Sequence, residues 1–268
     1  MAFQANMTSM FEKFPKISFF AKTRGWHFIL AWCHRVTGIL LVIFVWIHIY
    51  SYSSPYTPGV QDVKTQGFGS LICFLFQWAL AIPIIFHAFN GGRLVLYEIY
   101  GNRGEEGMLR WMTGLAIIYL AVLGLLVVMG NQSASPFLFW LVMLAVALTL
   151  SYGVGARIWQ RGHSIFWKLQ RISAVFLLIM IPAYILFMHL SPAASKEMGI
   201  VISGMQKVFI QVVYLLLLAA SLYHAGYGIW SLVGDYLSSR TLRTGLALLV
   251  TLVMLFFGWI GVTMVRII

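Results

Sequence analysis

Most of this chain is laid out in uninterrupted apolar runs, each long enough to cross a bilayer, and that limits its fold more than any other feature. About 20 consecutive apolar residues are needed for one helical crossing. Inside hydrocarbon the backbone must satisfy its own polar groups, which leaves helices and closed barrels. The runs here are continuous rather than alternating, so a β-barrel is disfavoured. Only 9% of residues are charged and 61% are hydrophobic, against about 25% charged in soluble domains. The fold class is therefore an all-α polytopic membrane protein. Seven spans are expected, at about 26–50, 69–96, 111–129, 136–157, 165–190, 201–235 and 244–265.

Seven crossings put the termini on opposite sides. With the N-terminus inside, only Lys64, Lys196, Lys207 and Arg266 of the 18 Lys and Arg fall outside. Cytoplasmic loops carry the positive excess, so the chain is expected in the inner membrane with its N-terminus inside and C-terminus outside. The net charge of +11 then reports topology, and no soluble basic module is left to bind nucleic acid. The first 25 residues are basic and aromatic and do not read as a signal peptide; residues 1–24 are expected to form a basic, Phe-rich arm on the membrane surface or against a partner. Cys33 and Cys73 lie in apolar helices without a CxxC spacing and read as small buried hydrophobes.

A repeat divides the chain. Trp32-x-His34-Arg35-Val36-Thr37-Gly38 resembles Trp167-x-x-Gln170-Arg171-Ile172-Ser173-Ala174. Residues 25–130 and 159–268 are then two parallel three-span units. Two units that both start inside need a return crossing, which residues 131–158 supply; that span holds no histidine.

Polar residues within a span are costly and usually face the interior for a purpose. His27 and His163 lie near the inner surface and read as interfacial. His87 and His224 each open the pattern His-Ala-x-x-Gly, with an acid, Glu98 or Asp235, eleven residues on. At 1.5 Å per residue both sit about 16 Å from that acid. His48 and His189 sit at the outer ends of their spans. The four make two pairs at two depths, each drawn from two helices, as bis-imidazole haem b requires. Gly91 and Gly228 follow their histidines at i+4, on the same face, leaving room for a macrocycle edge. The outer pair is less regular, because Tyr184 rather than His189 holds the place equivalent to His48. A kink at Pro182 would absorb the offset.

At these residues the sequence resembles the cytochrome b membrane anchor of succinate dehydrogenase and fumarate reductase. His34-Arg35-Val36-Thr37-Gly38 is similar to the family's His-Arg-x-Ser/Thr-Gly, and His87-x3-Gly91-x-Arg93 to its second-helix haem motif. His224-x3-Gly228 with Asp235-Tyr236 is similar to the second anchor subunit. The chain thus resembles both anchor subunits fused, in a dihaem form in which His48 takes the place of a distal ligand. The resemblance implies His87 and His224 as ligands of an inner haem, and His48 and His189 of an outer one. It implies that His34, Arg35 and Arg93 meet haem propionates, and that Arg35, Asp235 and Tyr236 serve a quinone. Ala31 departs from the Ser that family members often place three residues before the His-Arg pair, so the quinone pocket is not a simple copy.

The implied role is an electron conduit between soluble flavoprotein and iron–sulfur subunits and a membrane quinone. The dihaem resemblance favours menaquinone, with ubiquinone the alternative. The arm and the charged stretch 97–110 are candidate docking surfaces, membrane lipid surrounds the bundle, and a higher oligomer is left open. The rivals are a dihaem anchor of a hydrogenase, formate dehydrogenase or nitrate reductase, a transporter relaying protons through buried histidines, and an anchor that has lost its haem.

Overall fold

The computed structural model describes residues 15–53, 68–101, 136–190 and 204–267, and isolated positions between 107 and 121. The described helices are α1 (Pro15–Arg24), α2 (Trp26–Ser53), α3 (Phe68–Tyr100), α4 (Pro136–Ile158), α5 (Ile165–Leu190), α6 (Gly204–Tyr236) and α7 (Arg240–Ile267). Six of them, α2 to α7, are long and apolar enough to cross a membrane. The expected span at 111–129 lies, apart from isolated positions, outside the described residues, as does most of the loop 51–66. The chain is a helical polytopic membrane protein.

Local chemistry sets the boundaries. Gly25 takes a positive φ of 79° between α1 and α2, a conformation that costs glycine little. Ser164 and Ser239 cap α5 and α7, their hydroxyls accepting from Trp167 N at 3.3 Å and Leu242 N at 3.5 Å, as N-cap serines do. Helix α3 runs further than its charge suggested. Glu98, read from sequence as part of a loop, lies in its last turn. Gly101, with φ of 64°, ends the helix by donating to Tyr97 O at 2.9 Å, an αL termination. Arg161 donates to the last free carbonyls, those of Glu98 and, at 2.8 Å, Ile99.

Four helices form a closed ring, α2 on α3, α3 on α5, α5 on α6 and α6 on α2. Helix α4 packs outside on α5, and α7 outside on α6 and α2. Three apolar clusters hold this together. Trp140, Met180, Phe187, Ile210 and Val213 join α4, α5 and α6. Val95, Ile99, Ile158 and Val175 join α3, α4 and α5. Ile49, Leu222 and Ile260 join α2, α6 and α7. Leu248, Leu252, Leu255 and Trp259 of α7 point outward; their i, i+4, i+7, i+11 spacing is a single stripe, suited to lipid. The ring is thus assembled from two helices of each sequence half.

Candidate functional site

Each helix of the ring contributes one polar residue of the repeat or its histidine motif to one connected cluster: His34 from α2, His87 from α3, Gln170 from α5 and His224 from α6. The tightest contact is between α2 and α3. The His34 and His87 rings stack with centroids 3.9 Å apart and planes 6° from parallel. Two glycines allow it. A Cβ on Gly38 would lie 3.0 Å from His87 Cε1, and one on Gly91 would lie 3.4 Å from His34 Cε1. Each helix therefore receives the other's ring where it lacks a side chain. Gly91 makes room for His34, not for empty space. Gly228 does leave open space, with nothing within 4 Å of the Cβ it lacks.

The ring nitrogens can be assigned by their partners. His87 Nδ1 lies 3.1 Å from His34 O, and a carbonyl only accepts. Nδ1 is therefore protonated and Nε2 carries the lone pair. Thr37 Oγ1 is 3.4 Å from the same Nδ1 and donates back to Cys33 O at 2.7 Å, which fixes it against the ring. The His224 centroid lies 6.3 Å from that of His87, with planes 89° apart. Gln170 Nε2 donates to His224 O at 3.3 Å. The Nδ1 atoms of His34 and His224, Gln170 Oε1 and Asn90 Nδ2 are buried without hydrogen-bond partners among the described residues.

Charged groups surround one end of this cluster, paired across the two sequence halves. Arg35 of α2 contacts Asp235 of α6 at 3.4 Å and lies over the Tyr236 ring at 5.6 Å; Trp32 and Tyr236 have centroids 5.8 Å apart. Arg171 of α5 holds Glu98 of α3 through both carboxylate oxygens at 2.6 Å. The repeat makes Arg35 and Arg171 counterparts, and each takes the acid that follows the other half's histidine. Arg93 is buried, donates from Nε to Asn90 Oδ1 at 3.1 Å and lies over Tyr97 at 5.3 Å.

Of the predicted inner-site residues, the structure brings His34, His87 and His224 together and sets Arg35 with Asp235 and Tyr236. At the outer level His48 Nε2 lies 3.3 Å from Tyr184 OH. The side chain of His189 lies outside the described residues, as does that of Cys73. Cys33 is exposed rather than buried. Sequence reasoning missed Gly38, Asn90 and Gln170 as parts of the site. The signal for Gly38 was present: His34-x3-Gly38 repeats the His-x3-Gly pattern seen at His87 and His224.

A bundle of apolar helices closed around a cluster of partly buried histidines defines an integral membrane protein with a polar interior site. Its affiliation is specific: the family described as "Succinate dehydrogenase/Fumarate reductase transmembrane subunit" matches residues 20–128 and 155–261, and the chain belongs to that family. It is 28% identical over 93 residues to the "Succinate dehydrogenase 2 membrane subunit SdhC" of Mycobacterium tuberculosis, covering 34% of this chain and 68% of that protein. The "Succinate dehydrogenase cytochrome b560 subunit, mitochondrial" of Mus musculus is 29% identical over 99 residues, covering 35% of this chain and 56% of that protein. Its namesake from Bos taurus is 28% identical over 116 residues, covering 41% and 64%. No solved structure matches.

Proposed function

We propose that this chain is the membrane-anchor cytochrome b of a succinate:quinone oxidoreductase, holding haem b between α3 and α6 and a quinone at the Arg35 end. The observation that carries this reading is the pair His87 and His224. Two imidazoles that each bond one metal ion at about 2 Å hold their centroids roughly 6 Å apart, and here the distance is 6.3 Å. The carbonyl bond at His87 Nδ1 leaves Nε2 as the ligating atom, the arrangement expected behind a metal-bound histidine. The open space at Gly228, four residues after His224, fits a macrocycle edge on that side of the ring.

Haem, when bound, supplies one-electron redox chemistry that no side chain here provides. The chain's own residues orient and neutralise. The ring stacking of His34 and the two glycines fix His87. Arg93, buried beside the cluster, and Arg35 offer guanidinium forks to carboxylates such as propionates. Asp235 and Tyr236 stand beside Arg35, where they would hold a quinone oxygen and pass it a proton. An outer haem would use His48 with either His189 or Tyr184; the His48–Tyr184 hydrogen bond favours testing Tyr184. The two segments matched by the family support the reading of two fused anchor units, joined by α4. Flavoprotein and iron–sulfur subunits would dock on the Arg35 end, with α1 and the stretch 97–110 as the candidate surfaces; Glu98 is not available for that contact, being held by Arg171.

The test is haem per chain on the purified complex, with its reduced-minus-oxidised spectrum. His87→Ala and His224→Ala should each abolish the inner haem band while leaving the outer one. If both variants keep the wild-type haem content, the assignment is wrong.

A further inference from the structure

The two halves solve the same problem with different chemistry. In the first half the partner of the part-buried His87 imidazole is a backbone carbonyl, His34 O, reached because Gly38 lets the ring come to within 3.0 Å of its missing Cβ. The repeat aligns Gly38 with Ala174 and His34 with Gln170. A methyl group thus stands where the first half needs a gap, so the same backbone approach is closed to His224. In its place the second half offers a longer arm. Gln170 is buried, 8% exposed, and its amide nitrogen already bonds His224 O at 3.3 Å. That bond leaves Gln170 Oε1 as a buried acceptor without a partner, on a side chain joined to a residue whose Nδ1 is likewise buried and without one. A buried polar atom left without a partner is unfavourable, and these two are complementary, one an acceptor and the other a ring nitrogen able to carry a proton.

We propose that Gln170 is the positioning residue for His224, its Oε1 accepting the Nδ1–H of the ring and so presenting Nε2 to the haem iron. This rests on the haem reading above. Gln170 then does for His224 what the His34 carbonyl does for His87. An acceptor at the far nitrogen raises the basicity of a ligating histidine, which favours the ferric state. Gln170 therefore sets the midpoint potential of the inner haem as well as the pose of its ligand.

The experiment uses the whole complex, wild type beside Gln170→Met and Gln170→Glu, read by haem content, redox titration and low-temperature electron paramagnetic resonance. Methionine keeps the volume and removes the acceptor, so the inner haem should remain but its potential should rise. Glutamate keeps the length and strengthens the acceptor, so the potential should fall and the ferric signal should change in the opposite sense. Potentials that do not move, or that move in the same direction in both variants, overturn the proposal, since mere packing has no reason to give opposite signs. If the methionine variant fails to assemble, Gln170→Leu takes its place as the variant without an acceptor: an upward shift supports the proposal, and no shift or a downward one sinks it. A wild-type complex lacking the haem band fails the haem reading itself, which is a separate result from unshifted potentials in a complex that has it.

Discussion

Gly38→Ala is the smallest change that tests whether His87 is held as described. The new methyl carbon would lie 3.0 Å from His87 Cε1. Non-bonded carbons rest at about 3.5–4.0 Å, so the ring must retreat by roughly half an ångström. The Nδ1 bond to His34 O, now 3.1 Å, would then stretch beyond hydrogen-bonding range, to about 3.6 Å. Alanine returns about 1 kcal/mol of helix propensity. Against it stand about 1 kcal/mol for the hydrogen bond and about 1–3 kcal/mol for overpacking a site with little slack. The expected net is a destabilisation of about 1–3 kcal/mol, with an altered inner-haem spectrum. Thermal unfolding of the purified complex and its reduced-minus-oxidised spectrum read both. The contrasting substitution is Gly228→Ala, where the methyl meets nothing within 4 Å. The polypeptide should tolerate it or gain slightly, so a fall in haem content there would report a macrocycle edge in that space. A Gly38→Ala complex with wild-type melting and an unchanged haem spectrum would refute the seating of His87 against α2.

The two ion pairs should separate stability from turnover. Glu98→Gln breaks a two-point contact between side chains only 24% and 31% exposed and strands Arg171, so the complex should lose about 1–3 kcal/mol in thermal unfolding while quinone turnover per assembled complex holds. Asp235→Asn breaks one contact at 3.4 Å between side chains 34% and 53% exposed; stability should change by less than about 1 kcal/mol, and quinone reduction, assayed with a soluble dye as the alternative acceptor, should fall several-fold. Equal effects on both measurements in both variants would remove the distinction. For the outer level, His189→Ala should deplete the outer haem band; depletion by Tyr184→Phe instead would make tyrosine, not His189, the partner of His48.

The helices were legible because hydrophobic continuity and length carry the signal, and a bilayer leaves few alternatives. Helix α5 has the bounds its pattern predicts, and α2, α4 and α7 differ only at their ends. Helix α3 was misread at its end for a physical reason. Glu98 looks like a loop charge in sequence, but its carboxylate is met by Arg171 and its carbonyl by Arg161, both from far along the chain. His87 and His224 were placed at one depth from the fixed rise per residue, and their rings do come within 6.3 Å of each other. What could not be read is which helix faces which. Periodicity says that His34 and Gly38 share a face of α2; it does not say that the His87 ring fills the gap between them. The partners of Arg35 and Arg171 were hidden in the same way, lying 200 and 73 residues away.

The exchange of acids between halves bears on where the proposed quinone would enter. By the repeat, Arg35 and Arg171 are the same residue twice, yet their surroundings differ. Arg171 grips Glu98 with two nitrogens at 2.6 Å, stacks over Trp167 at 4.6 Å, and is backed by Arg161 on the adjoining carbonyls. A ligand would have to displace a fork-to-fork contact there, the strongest kind of side-chain pairing. Arg35 has a single, longer contact to Asp235, in a more exposed setting bordered by the Trp32 and Tyr236 rings. Its guanidinium can turn to a ligand oxygen while leaving little unpaired behind. A flat aromatic ligand would also find two rings to lie against. The two rims are alike in composition, and the arginine contacts distinguish them: one is closed by a two-point fork and the other is held by a single, longer contact.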